Sequence, residues 1–198
     1  MTTFFSCDVE TTSTSPLTGD LLTLGIQPIH FYADQLAIEY PKNLYIRIEQ
    51  QETLDQDPNW GDADNPASSY GWWIKQNEQA QDEAWRDRTL VRHDLITAAK
   101  MVSEFVKEIE QDPKQRIFVA NPVSFDKPWF EQMFWVADVE DPFHYQSLCL
   151  RSMKFGLRKE SPWVMTRDNH EPKIPHHALW DAVAQAHDLI SMLGERDG

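Results

Sequence analysis

The chain has 198 residues, 41% of them apolar, and 18 basic against 32 acidic residues give it a formal net charge of −14. That balance excludes a protein that coats nucleic acid through a basic face, although metal ions held by the acids can still carry positive charge to a phosphate. Two cysteines, Cys7 and Cys149, exclude a disulfide framework, and no apolar run approaches membrane-spanning length.

The length suits one domain over residues 1–198, and the N-terminus lacks a basic-then-apolar leader pattern. The expectation is therefore a soluble, cytoplasmic protein with no membrane partner. Phe4, Phe5 and Val9 predict an N-terminal strand. Residues two apart on a strand share a face, so Asp8 and Glu10 stand side by side while Cys7 points the other way, into the core. Two carboxylates at the end of a buried strand are costly unless a cation lies between them, and Mg²⁺ takes oxygen ligands. Taken alone, the pair reads more readily as two exposed acids on a strand that runs out into solvent.

Residues 11–20 are rich in Ser, Thr, Pro and Gly and predict a turn into a second strand over residues 21–26. Leu44, Ile46 and Ile48 alternate with Tyr45, Arg47 and Glu49, which predicts a half-buried third strand and an antiparallel meander. The acidic residues 50–67, with Pro58, Gly61 and Pro66, predict a long loop that is functional or mobile. Ser68 or Ser69 caps a helix that starts near Tyr70 and carries Trp72, Trp73 and Gln76, and a short helix follows over residues 80–86. Leu95, Ala98, Ala99, Val102, Phe105, Val106 and Ile109 fall at helical spacing, and Asp112-Pro113 ends that helix.

Residues 116–120 form a buried-type strand that leads through Asn121, Phe125 and Asp126 into a helix with Pro128 in its first turn. Residues 143–150 are ambiguous between strand and helix. Residues 151–173 look like a loop with a basic excess that includes Arg151, Lys154, Arg158 and Lys159. This stretch reads either as a phosphate-gripping segment or as an ordinary solvated loop. Residues 176–193 close the chain as an amphipathic helix, with Gly194 as its stop. The order of elements gives a mixed α/β domain with the sheet covered on both faces.

Four acids occupy marked positions: Asp8 and Glu10 on the first strand, Asp126 at a helix start, and Asp181 early in the last helix behind His176 and His177. Each alone has an ordinary structural reading. In order, however, Asp8-Val9-Glu10-Thr11, then Asn121 through Phe125-Asp126, then His176 with Ala178 and Asp181 match three motifs. They resemble those of the DEDDh subgroup of the DnaQ-like 3′→5′ exonucleases, and three ordered motifs are far more specific than one.

The resemblance implies a ribonuclease H-like mixed sheet flanked by helices. It also implies two Mg²⁺ or Mn²⁺ ions, roughly 3.5–4 Å apart, clamping an in-line displacement at phosphorus. On that basis Asp8 bridges the ions, Glu10 and Asp181 complete one site, and Asp126 serves the other directly or through water. His176 takes the proton from the attacking water. His177 competes for that role, because four residues before Asp181 puts it on the same helical face. Thr11, Asn121 and Phe125 are carried over as substrate contacts. Members of the family often have Gly after the paired threonine, where this chain has Ser13, so backbone contacts from that turn are not carried over.

Trp72-Trp73 with Gln76 and Ala80 is similar to a stretch in phage exodeoxyribonucleases and in small bacterial RNase T-like, Rv2179c-like exoribonucleases. Adjacent tryptophans are more often core than surface. Pointing in different directions, one can pack while the other offers a stacking face, so Trp73, Gln76 and Arg158 join the substrate candidates. The expected activity is release of 5′-mononucleotides from single-stranded DNA or RNA with a free 3′ end, in a cytoplasmic setting that a phage-encoded protein would share. The competing expectation is a catalytically silent nucleic-acid-binding or proofreading-type module on the same fold. The aromatic residues serve equally as core or as a homodimer interface.

Overall fold

The computed structural model describes residues 2–32, 35–38, 42–50, 60–61, 64–65, 68–158 and 171–194. Its central strand is β1 (Thr3–Thr11). Along one edge β1 pairs antiparallel with β2 (Leu21–Tyr32), and along the other it pairs parallel with β5 (Arg116–Ala120). β3 (Gln35–Ile38) and β4 (Leu44–Arg47) both pair antiparallel with β2, and β6 (Ser147–Cys149) pairs parallel with β5. The six-stranded sheet thus has the order β3-β2-β1-β5-β6, with β4 also on β2.

The expected meander is present as β1-β2-β4, but β2 is longer than the sequence indicated. β4 covers Thr23–Ile26 and β3 covers Ile29–Tyr32. Pro28, which has no N–H to donate, falls in the gap between those two ladders, so the strand passes through a residue that normally stops one.

Alternation along β1 divides the core. Phe5, Cys7 and Val9 pack with α3 (Leu95–Ile109) and α4 (Val123–Ala137) through Val102, Val106, Trp129 and Phe130. On the opposite face, Ile29 and Val119 pack with Ala186, Leu189 and Met192 of α6 (Ala178–Gly194). Cys7 therefore points into the α3/α4 core as expected, and Asp8 and Glu10 take the α6 side. A third cluster gathers Leu22, Trp60, Trp73, Ala80 and Ala84 with Tyr70, Trp85 and Trp180, which accounts for much of the chain's tryptophan.

Three helical expectations change. α1 (Ser69–Trp73) is capped by Ser68, whose Oγ accepts from Gly71 N–H, but it ends before Gln76, and α2 (Glu78–Gln81) follows. α4 begins at Val123, so Pro128 lies inside it rather than in its first turn. The stretch read as a basic loop starts as α5 (Leu150–Arg158), because Leu150 and Met153 pack against the α6 cluster. The Arg158 side chain and residues 159–170 lie outside the described residues, as does most of the 50–67 loop. No helix among the described residues is long and apolar enough to cross a membrane.

One glycine sets the distance between α6 and the sheet. Gly25 stands opposite Asp8 in the β1–β2 register, and a Cβ there would lie 2.4 Å from the backbone of Ala178 and Leu179. The start of α6 thus rests directly on β2 beside Asp8. Gly25→Val is expected to destabilise the fold by at least about 2 kcal/mol in a denaturant titration, since backbone, unlike a flexible side chain, cannot yield to it.

Candidate active site

The carboxyl end of β1, the start of α4 and the cleft-facing side of α6 enclose a cleft of about 420 Å³. Asp8, Glu10, Asp126, His176 and Asp181 all line it, together with Thr11, Asn121, Phe125 and Trp72. Carboxylate oxygens of Asp8, Glu10 and Asp181 lie within 4.8 Å of one another. Strand alternation supplies the first two acids, and the close seat of α6 on Gly25 supplies the third.

Asp8, Asp126 and Asp181 are each held by a hydrogen bond. Asp181 Oδ2 accepts from the His177 backbone N–H at 3.2 Å, across the first turn of α6. Asp126 is buried, and its Oδ1 accepts from Val9 N–H at 3.2 Å. The parallel ladder to β5 ends at Ser6–Val119, so Asp126 takes over as hydrogen-bond partner of β1 where β5 has turned away into α4. Its oxygens lie outside the tight group of three but line the same cleft. Asp8 Oδ1 accepts from Gln185 Nε2 at 2.7 Å.

The electrostatics fit a divalent-cation site. Burial, followed by the charges of Asp126, Asp181 and Glu10, pushes the Asp8 carboxyl well above its ordinary range, and the hydrogen bond from Gln185 works against it. Burial raises Asp126 to about 8, opposed by the Val9 N–H. Mutually repelling carboxylates, converging from separate elements with oxygens turned to one point, are the donor set hard divalent ions take. The residues present therefore fit Mg²⁺ or Mn²⁺.

The two histidines diverge. His176 has a left-handed backbone (φ 60°), lines the cleft, and sets its ring edge-on to Trp72 with centroids 4.8 Å apart. His177 is buried beneath α6, stacked on Tyr45 at 4.3 Å, and burial lowers its pKa. Helical spacing does put His177 beside Asp181, but through its backbone N–H, while its ring turns toward β4.

Both tryptophans line the cleft, and they differ in exposure. Trp73 is 1% exposed and donates from Nε1 to the Thr11 carbonyl at 3.0 Å, so it supports the end of β1 from below. Trp72 is 40% exposed and provides the open aromatic face. Gln76 lies outside the cleft lining: it follows the end of α1, and its Nε2 donates to the Trp72 carbonyl. Trp73→Ala is expected to cost about 3–5 kcal/mol of stability, whereas Trp72→Ala should leave the melting temperature within about 2 °C.

The sequence did not point to Gln185 or to a buried pair at the cleft wall, Lys154 Nζ on Asp188 Oδ2 at 2.6 Å. Their signal is the run Asp181, Gln185, Asp188 along one face of α6, which acquires meaning only once that face is known to meet β1.

A mixed sheet of this order, flanked by helices and with acids gathered at the end of its central strand, is the fold of the ribonuclease H-like exonucleases. Cell-death related nuclease 4 (CRN-4) shares it with a TM-score of 0.65 at 13% identity, over 98% of this chain and 64% of that one. So does Escherichia coli exonuclease I in complex with a dT13 oligonucleotide, with a TM-score of 0.55 at 17% identity, over 97% of this chain and 40% of that one. The 3′-5′ exoribonuclease Rv2179c-like domain model matches residues 3–192, and the chain belongs to that family. The 3′-5′ DNA exonuclease Cap18 of Escherichia coli is 30% identical in an alignment 112 residues long that covers 52% of this chain and 59% of that protein.

Proposed function

We propose that this chain is a 3′→5′ exonuclease that releases 5′-mononucleotides from single-stranded nucleic acid with the help of two Mg²⁺ or Mn²⁺ ions. The observation that carries this reading is the convergence of Asp8, Glu10 and Asp181 oxygens within 4.8 Å in a cleft whose rim holds His176 and Trp72. Membership of the Rv2179c-like family and the resemblance to Cap18 support it.

Asp8, Glu10, Asp126 and Asp181 would hold the ions. When bound, the ions supply charge neutralisation at the phosphate and a lowered pKa for water. His176, on the rim, accepts the proton of the attacking water through its imidazole. Trp72 offers its face to the terminal base, and Phe125, Asn121 and Thr11 line the same cleft. Asp126 has one oxygen committed to Val9 N–H, which leaves Oδ2 for the ion or for an intervening water.

The matched family is one of exoribonucleases and Cap18 is a DNA exonuclease, so both sugars belong in the test. The full chain is incubated in Mn²⁺ with matched 5′-labelled single-stranded DNA and RNA, each with a free 3′ hydroxyl or a 3′ phosphate. The expected result is a ladder shortened one nucleotide at a time from free ends, blocked by the 3′ phosphate and abolished by chelator. Cleavage at internal positions, or equal degradation of blocked ends, would refute it. Trp72→Ala should raise KM about tenfold on either polymer with little change in kcat, as loss of one stacked base predicts.

A further inference from the structure

We propose that Gln185 is a positioning residue that holds Asp8 ready for a divalent ion without adding charge of its own. This rests on the reading of Asp8 as a metal ligand. Gln185 is 7% exposed, lines the cleft, and donates from Nε2 to Asp8 Oδ1 at 2.7 Å. A buried side chain on a helix that rests directly on the sheet has little freedom, so this bond fixes the Asp8 carboxylate and leaves Oδ2 for other partners.

The choice of a neutral donor is significant. One turn further along the same helix face, Asp188 is also in the cleft wall, and its charge is taken by the Lys154 ammonium at 2.6 Å. A cation at position 185 would do the same to Asp8 and cancel the negative charge that draws a divalent ion. A glutamine amide orients the carboxylate and lets it keep that charge. The other end of the amide points the same way: Gln185 Oε1 is buried with no hydrogen-bond partner among the described residues. A buried acceptor without a partner beside a cleft is suited to a donor that arrives with the ligand, such as an ordered water or a nucleotide hydroxyl.

Hydrogen-bond partners that orient a ligating group change metal affinity by about 10–100-fold when removed. The test is Mn²⁺ titration by calorimetry of the full chain, using wild type, Gln185→Met, Gln185→Ala and Asp8→Ala, with metal-free melting temperatures recorded alongside. Met keeps the length and helix preference of Gln but not its donor, and Ala guards against a steric effect of Met. The expected result is at least a tenfold weaker Mn²⁺ dissociation constant in both Gln185 variants. Excess Mn²⁺ should restore most of their turnover with KM for the oligonucleotide unchanged. Mn²⁺ affinity within twofold of wild type in either folded variant would overturn the proposal, and so would failure of both to fold, which would make Gln185 a packing residue. Asp8→Ala separates the two claims: if it binds Mn²⁺ like wild type, the assignment of Asp8 as a ligand fails first. If it loses Mn²⁺ while the Gln185 variants keep it, only the positioning role fails.

Discussion

Asp8→Asn is expected to reduce metal-dependent degradation roughly a thousandfold or more, the loss of several kcal/mol of charge stabilisation at the phosphate. The same substitution should make the metal-free protein more stable. Asparagine retains an oxygen for the Gln185 donor and removes the charge that Asp126, Asp181 and Glu10 repel. A carboxyl whose folded pKa is raised binds its proton more tightly in the folded state than in the unfolded one, so ionising it destabilises the fold. That destabilisation is absent below the ordinary aspartate range of about 4 and grows as pH rises through the folded pKa. For Asp126 the window closes at about 8. The metal-free wild type should therefore lose stability between about pH 4 and pH 8, and Asp8→Asn should lose less. Thermal melts across that range, with and without Mg²⁺, check this: added Mg²⁺ should raise the wild-type melting temperature most at the alkaline end and leave the variant nearly unmoved.

The second large effect separates two neighbouring residues. His176→Ala is expected to lower kcat by about 10²–10⁴-fold with near-normal stability, as removal of a general base does. His177→Ala should keep turnover within about tenfold of wild type but lose about 2–4 kcal/mol of stability, since its ring is buried against Tyr45. Steady-state kinetics and denaturant titration on the two variants check both halves. The opposite pattern would move the base to His177.

Much of this site is legible in the amino-acid sequence. Strand alternation alone puts Asp8 and Glu10 on one face and Cys7 on the other, because the period of two admits no other arrangement once the strand is recognised. The three ordered motifs bring in Asp126, His176 and Asp181. What stays hidden depends on contacts between elements. Period and propensity say that one tryptophan of the pair packs, but which one does so depends on where the end of β1 lies, and that places Trp73 Nε1 on the Thr11 carbonyl. Helical spacing favours His177 over His176, and the left-handed backbone at His176 has no signature in a non-glycine residue. The basic stretch after Cys149 reads as a loop by its charge, yet Lys154 is buried and paired across to α6, a partner that lies far along the chain. Gln185 is silent for the same reason: its meaning is a bond to Asp8 that sequence distance conceals.

The most direct test of the central claim, that the end of β1 and the start of α6 form a divalent-metal centre, is anomalous X-ray scattering from crystals of the full chain grown with Mn²⁺ and a 5′-mononucleotide. Manganese peaks bounded by Asp8, Glu10 and Asp181 are expected, with a second peak on the Asp126 side. Manganese confined to other surface acids, with those carboxylates free of metal, would contradict it.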